Sequence, residues 1–164
     1  MARSDGRTAR DHRPVEVTAG FHRNAEGSVL YRTGRTVVLC TASITGGYIA
    51  LALALATLKK KGDLTKPVLR DQVAAISVGS IEDSLMLDLV YVEDSRARVD
   101  LNLVATGHGA IVEVQGTAEG EAIPRSELDK MIDLGLEGTA SLVNLQRSVL
   151  SAAGVDLASL IITK

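Results

Sequence analysis

The stretch Leu87-Asp-Leu-Val-Tyr-Val-Glu-Asp-Ser-Arg-Ala-Arg-Val-Asp-Leu-Asn102 decides how this chain is read, because it sets two carboxylates, Asp94 and Asp100, between apolar segments of strand-like composition. On an extended chain, rising roughly 3.3 Å per residue, these two positions would stand about 20 Å apart. No single ion bridges that gap. If Ser95 to Arg98 turn instead, both carboxylates converge on one hard cation such as Mg²⁺, which takes carboxylate oxygens at about 2.1 Å.

Working outward, a length of 164 residues suits one domain with a sizeable core. Apolar residues make up 46% of the chain, yet the aromatic ones are only Phe21, Tyr31, Tyr48 and Tyr91. The core is therefore built from Leu, Val, Ile and Ala. A formal charge of −2 excludes a globally basic nucleic-acid binder and leaves room for a local basic patch. The one cysteine, Cys40, forms no internal disulfide, which suits a reducing compartment. The first residues, Met-Ala-Arg-Ser-Asp-Gly-Arg, carry no apolar signal core, so the expected location is the cytoplasm. The Ala/Leu run from Ile49 to Leu58 is about half the 20 residues a membrane span needs and reads as a helix buried on most sides.

The periodicity gives an order of elements. Val15 to Ala19 alternates as a half-buried strand, and Gly27–Tyr31 with Thr36–Cys40 resembles a hairpin closed at Thr33-Gly34-Arg35. The Ala/Leu run is helical because no β-branched residue interrupts Ala50 to Ala56. Ser43 or Thr45 caps its start; Lys59, Lys60, Lys61 and Gly62 suit its end. Strand signals follow at Ala74–Val78, Leu85–Val92, Leu101–Ala105 and Ala110–Val114, the last two joined by Thr106-Gly107-His108-Gly109. After Pro124, Ser126-Glu-Leu-Asp129 resembles a capping box opening a long helix, whose apolar stripe Gly135 and Gly138 weaken. The expected fold class is α+β: an antiparallel or mixed sheet, a central buried helix and a C-terminal helix in one domain covering residues 1–164.

In that order the motifs resemble ribonuclease PH, the family of phosphate-dependent 3′-to-5′ exoribonucleases that trim tRNA precursors. They are Arg3-Ser-Asp-Gly-Arg7, Arg13-Pro14, Ala25-Glu-Gly-Ser-Val-Leu30, Val38-Leu-Cys-Thr-Ala-Ser-Ile44, Ala74-Ala-Ile-Ser-Val-Gly79, Asp88-Leu-Val-Tyr-Val-Glu-Asp-Ser95, Asp100-Leu-Asn102, Ile111-Val-Glu-Val-Gln-Gly-Thr-Ala-Glu-Gly120 and Ser126-Glu-Leu-Asp129. Members of that family carry Thr-Ala-Ser-Ile twice, with a large block between. Here one copy, Thr41-Ala-Ser-Ile44, follows the first context and leads into the second, as though the two copies had fused at about residues 41–46.

The resemblance implies that Asp94 and Asp100 are the catalytic acidic pair and hold Mg²⁺ or Mn²⁺, with inorganic phosphate as co-substrate; Asn102, one strand step beyond, assists. The family's phosphate-binding Gly-Thr-Arg is replaced by Val38-Leu39-Cys40, and a second phosphate arginine belongs to the missing block. What remains is the start of the Ala/Leu helix at Ser43 and Thr45, worth about 0.3–1 kcal/mol to an anion at an exposed end. Each charge-assisted hydrogen bond from an arginine is worth about 1.5–3 kcal/mol, so impaired phosphorolysis is expected. Residues 1–13 form a basic arm in which Arg3, Arg7, Arg10 and Arg13 either contact RNA phosphates or belong to a solvated terminus. The family assembles as rings of dimers, which implies self-association. The alternative function is an inactive RNA-binding or ring-scaffold subunit. His22 and His108 have no partner at zinc-ligand spacing, and Cys40 reads as a buried apolar residue. Glu113 and Gln115 share a strand face, lining a cleft or facing solvent.

Overall fold

Alternating β-branched runs become strands and Ala/Leu-rich runs become helices in the computed structural model, which describes residues 3, 5–19, 29–33, 36–39, 44–82, 84–119 and 121–163. A three-stranded antiparallel sheet is built from β1 (Val15–Ala19), β2 (Val29–Thr33) and β3 (Thr36–Leu39) in that order. Val17 pairs with Tyr31, and the β2–β3 hairpin closes on Thr33 opposite Thr36. After α1 (Ile44–Lys61) come β4 (Val73–Ile81), β5 (Ser84–Leu87), α2 (Tyr91–Asp94), β6 (Val99–Thr106), β7 (Ile111–Ala118) and α3 (Arg125–Ala152). The second sheet has the order β5-β4-β6-β7, with antiparallel β4–β5 and β6–β7 pairs. The fold class is α+β. The chain divides into two compact units: Met1–Arg13 with Ala75–Ser141, and Pro14–Ala74 with Leu142–Lys164. The junction read at residues 41–46 falls partly outside the described residues, as do Cys40 and Ser43.

In the unit that holds α1, Tyr48, Ile49, Ala50 and Ala52 form a core with Leu69, Leu150 and Leu160, against which Val15 and Val17 pack. Burial concentrates in the first half of the helix, while Leu51 is about half exposed. The helix already runs at Ile44, so Thr45 lies inside it rather than at its cap. Gly62 takes φ +85° just past the last turn, where Asp63 N–H reaches Leu58 O at 3.0 Å. Gln146 is fully buried and donates from Nε2 to Thr45 O (3.0 Å) and Val73 O (2.8 Å). Gln72 donates to Val143 O and Gln146 Oε1, both at 3.1 Å, and accepts from Arg147 Nε at 2.7 Å. The Tyr48 hydroxyl is buried without a hydrogen-bond partner; burial, reinforced by Asp71 and opposed by Arg147, pushes it up to about 12. Among the described residues, no helix is long and apolar enough to cross a membrane.

In the other unit, β4 and β6 bury Ile76, Val78, Leu101 and Leu103. The two glycines that weaken the α3 stripe are contact points: a Cβ at Gly135 would lie 2.8 Å from Leu103 Cδ2, and one at Gly138 would lie 2.8 Å from Ile76 Cδ1. Their missing side chains let the helix backbone approach the sheet. Two local readings are corrected. The capping box does not form, because α3 begins at Arg125; Asp129 instead accepts from Arg125 Nε at 3.2 Å. The strand read over Leu85–Val92 stops at Leu87, Asp88 turns with φ 50°, and Tyr91–Asp94 forms one helical turn. That turn forms despite its β-favouring Tyr and Val because Glu93 folds back and accepts from Val90 N–H at 3.0 Å.

Candidate functional site

Asp94 closes α2 and Asp100 lies near the start of β6. Between them the chain reverses: Arg96 N–H reaches Glu93 O at 3.1 Å, Ala97 N–H reaches Asp94 O at 3.0 Å, and Arg98 N–H binds Ser80 O at 2.8 Å. Ala97 is buried beside Ile81, Met86 and Leu89, which anchors the return. The pair thus sits on a turned path, not the extended one. Burial raises the Asp100 carboxyl above its ordinary value, and the charges of Asp94 and Glu119 raise it further. Glu119 is brought there by its N–H bond to Arg98 O at 2.8 Å. Opposite Asp100 and Asn102 the register places Thr117 and Gln115, so these four positions share a face of the β6–β7 ribbon. Asn102 and Gln115 are exposed on it.

Among the described residues, no group of three or more His, Cys, Asp or Glu side chains is arranged to hold a metal. A site of one or two carboxylates completed by water and phosphate oxygens is how Mg²⁺ is commonly held, so the donor chemistry of Asp94 and Asp100 fits that ion or Mn²⁺.

The basic arm does not project as a row of free cations. The Arg3 side chain is fully buried and reaches six acceptors. Its Nε and Nη2 grip Glu93 Oε1 and Oε2 at 2.9 and 2.8 Å, and its Nη groups reach Leu87 O at 2.9 Å and Asp88 O at 3.1 Å. Arg13 donates from its backbone N–H, Nε and Nη2 to the Asp88 carboxylate at 2.8, 2.9 and 2.7 Å. Arg7 lies between, with Nε on Asp5 Oδ2 at 2.7 Å and Nη1 on Asp88 O at 3.2 Å; its buried Nη2 makes no hydrogen bond. Arg10 is largely exposed and pairs with exposed Glu137. Hydrogen bonding to Arg3 outweighs burial and lowers Glu93. Burial opposes, but Arg13 and Arg7 prevail, and Asp88 is lowered too. Sequence reasoning missed Glu93 and Asp88 as partners of the arm; their only signal was acidity inside an otherwise apolar run.

Thr45, the other residue assigned to phosphate, is buried, and its carbonyl accepts from Gln146. A separate cluster joins Ser80 Oγ and Arg98 to the Glu127 carboxylate at the start of α3.

The α+β fold recurs in solved structures. The rice (Oryza sativa) Rrp46 structure matches it with a TM-score of 0.66 at 16% identity, covering 91% of this chain and 100% of that one. An archaeal exosome core chain matches with a TM-score of 0.62 at 15% identity, covering 88% and 91%. Residues 71–138 match the family model described as 3′ exoribonuclease family, domain 2. By sequence the chain is similar to proteins named ribonuclease PH. It is 55% identical over 113 residues to the ribonuclease PH of Crocosphaera subtropica, covering 69% of this chain and 47% of that protein. To that of Saccharopolyspora erythraea it is 52% identical over 113 residues, covering 68% and 45%. The chain thus spans just under half the length of these relatives.

Proposed function

We propose that this chain carries the acidic half of a phosphate-dependent 3′-to-5′ exoribonuclease site, acting on RNA 3′ ends such as those of tRNA precursors in the cytoplasm. The observation that carries the reading is the turned path from Asp94 to Asp100, on which the charge of Asp94 adds to burial in raising the Asp100 carboxyl. These two residues would hold Mg²⁺ or Mn²⁺. When bound, that ion neutralises charge on the phosphoryl oxygens in flight, which is most of what such a transfer requires. Asn102, exposed on the same face, is placed to donate to a phosphate or ribose oxygen.

The phosphate-binding half is weak. Thr45 is buried, Ser43 lies outside the described residues, and no arginine occupies the Val38-Leu39-Cys40 positions. Of the arm's arginines, Arg10 is the one placed for RNA once it leaves Glu137; Arg3, Arg7 and Arg13 are engaged inside. Phosphorolysis is therefore impaired in this chain. The exosome-type fold also supports the second reading, a ring-scaffold or RNA-binding subunit that self-associates without turnover. A short 3′-tailed RNA incubated with Mg²⁺, with and without phosphate, beside Asp94→Asn, decides between them. Slow nucleoside diphosphate release that needs both phosphate and Asp94 supports the enzyme. Absence of release from folded protein leaves the scaffold reading. Release at the rate of a full-length ribonuclease PH overturns the impairment.

A further inference from the structure

The α2 turn that carries Asp94 has no buried residue of its own, so something outside it must fix its direction. On its N-terminal side, Leu89 packs onto Gly79 so closely that a Cβ there would lie 2.1 Å from Leu89 Cδ1. On its C-terminal side Ala97 is buried. Between these anchors the remaining restraint comes from the arm. Arg3 holds both oxygens of Glu93, the residue next to Asp94, while also holding the Leu87 and Asp88 carbonyls at the base of the same turn. Arg13 fixes the Asp88 carboxylate, and Leu87 N–H bonds Ala9 O at 2.9 Å. A planar guanidinium gripping a carboxylate with two parallel bonds sets orientation as well as distance.

We infer that Arg3 is a positioning residue: through Glu93 it aims α2 so that Asp94 faces Asp100, and Arg3 and Arg13 serve this internal clamp rather than RNA. The inference deepens the reading above, since it concerns the same carboxylate pair. Arg3 touches neither Asp94 nor Asp100 in this arrangement; it acts on them through the backbone of one helical turn. Lysine supplies the charge but not the two-pronged grip, so Arg3→Lys recovers part of what Arg3→Met loses.

The test is Mn²⁺ binding measured by electron paramagnetic resonance on the full chain, as a double-mutant cycle with Asp94→Asn. Arg3→Met is expected to weaken Mn²⁺ roughly tenfold, Arg3→Lys by less, and Arg3→Met to cost nothing further in the Asp94→Asn background. Unchanged affinity in folded Arg3→Met overturns the inference, and so does an equal loss in both backgrounds, because a purely structural defect does not depend on Asp94. If Arg3→Met fails to fold, Glu93→Gln, which keeps the shape of the turn and removes the charged grip, takes its place with the same expectations. If the unmodified chain binds no Mn²⁺, the metal reading falls and the clamp is judged by amide exchange. Faster exchange at Asp94 and Ser95, whose N–H groups bond Val90 O and Tyr91 O, with β6 unchanged upholds it; no change at either amide overturns it.

Discussion

A carboxyl group shielded from water and set beside two others holds its proton more tightly than it does in free solution, and Asp100 is placed in that way by burial, Asp94 and Glu119. Its contribution to stability is therefore greatest below the ordinary carboxylate pKa and is lost as pH rises through the raised value. At neutral pH Asp100 works against the fold, so Asp100→Asn should raise Tm, on the order of 1–2 °C because water still screens the group. The same variant should lose any Tm gain on adding Mg²⁺ that the unmodified chain shows, and thermal scans with and without the ion check both points. Asp88 and Glu93 behave oppositely. Their lowered values mean stability that is present above the ordinary carboxylate range and disappears as pH falls through the folded-state values. Asp88→Asn should cost about 1.5–3 kcal/mol at neutral pH by denaturant titration, and progressively less as pH falls through the lowered value of the unsubstituted carboxyl.

Among the elements, the helical glycines separate two roles that composition cannot tell apart. Gly47 in α1 has open space where a Cβ would stand, so Gly47→Ala should stabilise by up to about 1 kcal/mol through helix propensity. Gly138 in α3 has Ile76 and Leu87 methyls at 2.8 and 3.0 Å, so Gly138→Ala should destabilise by about 1–3 kcal/mol despite the same gain. Opposite signs in urea titrations are the expected outcome. The sequence showed Gly138 only as an interruption of helical pattern, because whether a neighbour occupies the space is a property of tertiary approach. From periodicity β1 and β6 were legible nearly to their ends, α1 and β7 only in part, since β7 runs on past Val114 to Ala118, and α2 not at all. Tyr-Val-Glu-Asp favours a strand by local preference, and its helical turn depends on Glu93 reaching back and on an arginine that lies far off along the chain. The acidity of Asp94 and Asp100 was legible in residue type, whereas the turned path between them was not.

For the whole molecule, the fate of the arm decides how its charge is used. Four arginines free to meet single-stranded RNA would contribute about −2.8 to the slope of log affinity against log salt, and Arg10 alone about −0.7. Arg10→Ala should therefore remove about 0.7 of that slope and leave Tm nearly unchanged. Arg13→Ala should lower Tm and leave the slope alone; fluorescence anisotropy over a salt series, with melting curves, tests both. The arm was visible in the sequence as a basic cluster, but its direction was not, since the acceptors that turn it inward lie at residues 87–93. That separation has a consequence for biosynthesis. Arg3 and Glu93 are 90 residues apart, so on a ribosome adding about 5–20 residues per second the arm is made roughly 5–20 seconds before its carboxylate partner exists. For that interval a nascent-chain chaperone or the ribosomal RNA surface meets Arg3, Arg7 and Arg13 as the exposed cations they cease to be once Asp88 and Glu93 are in place.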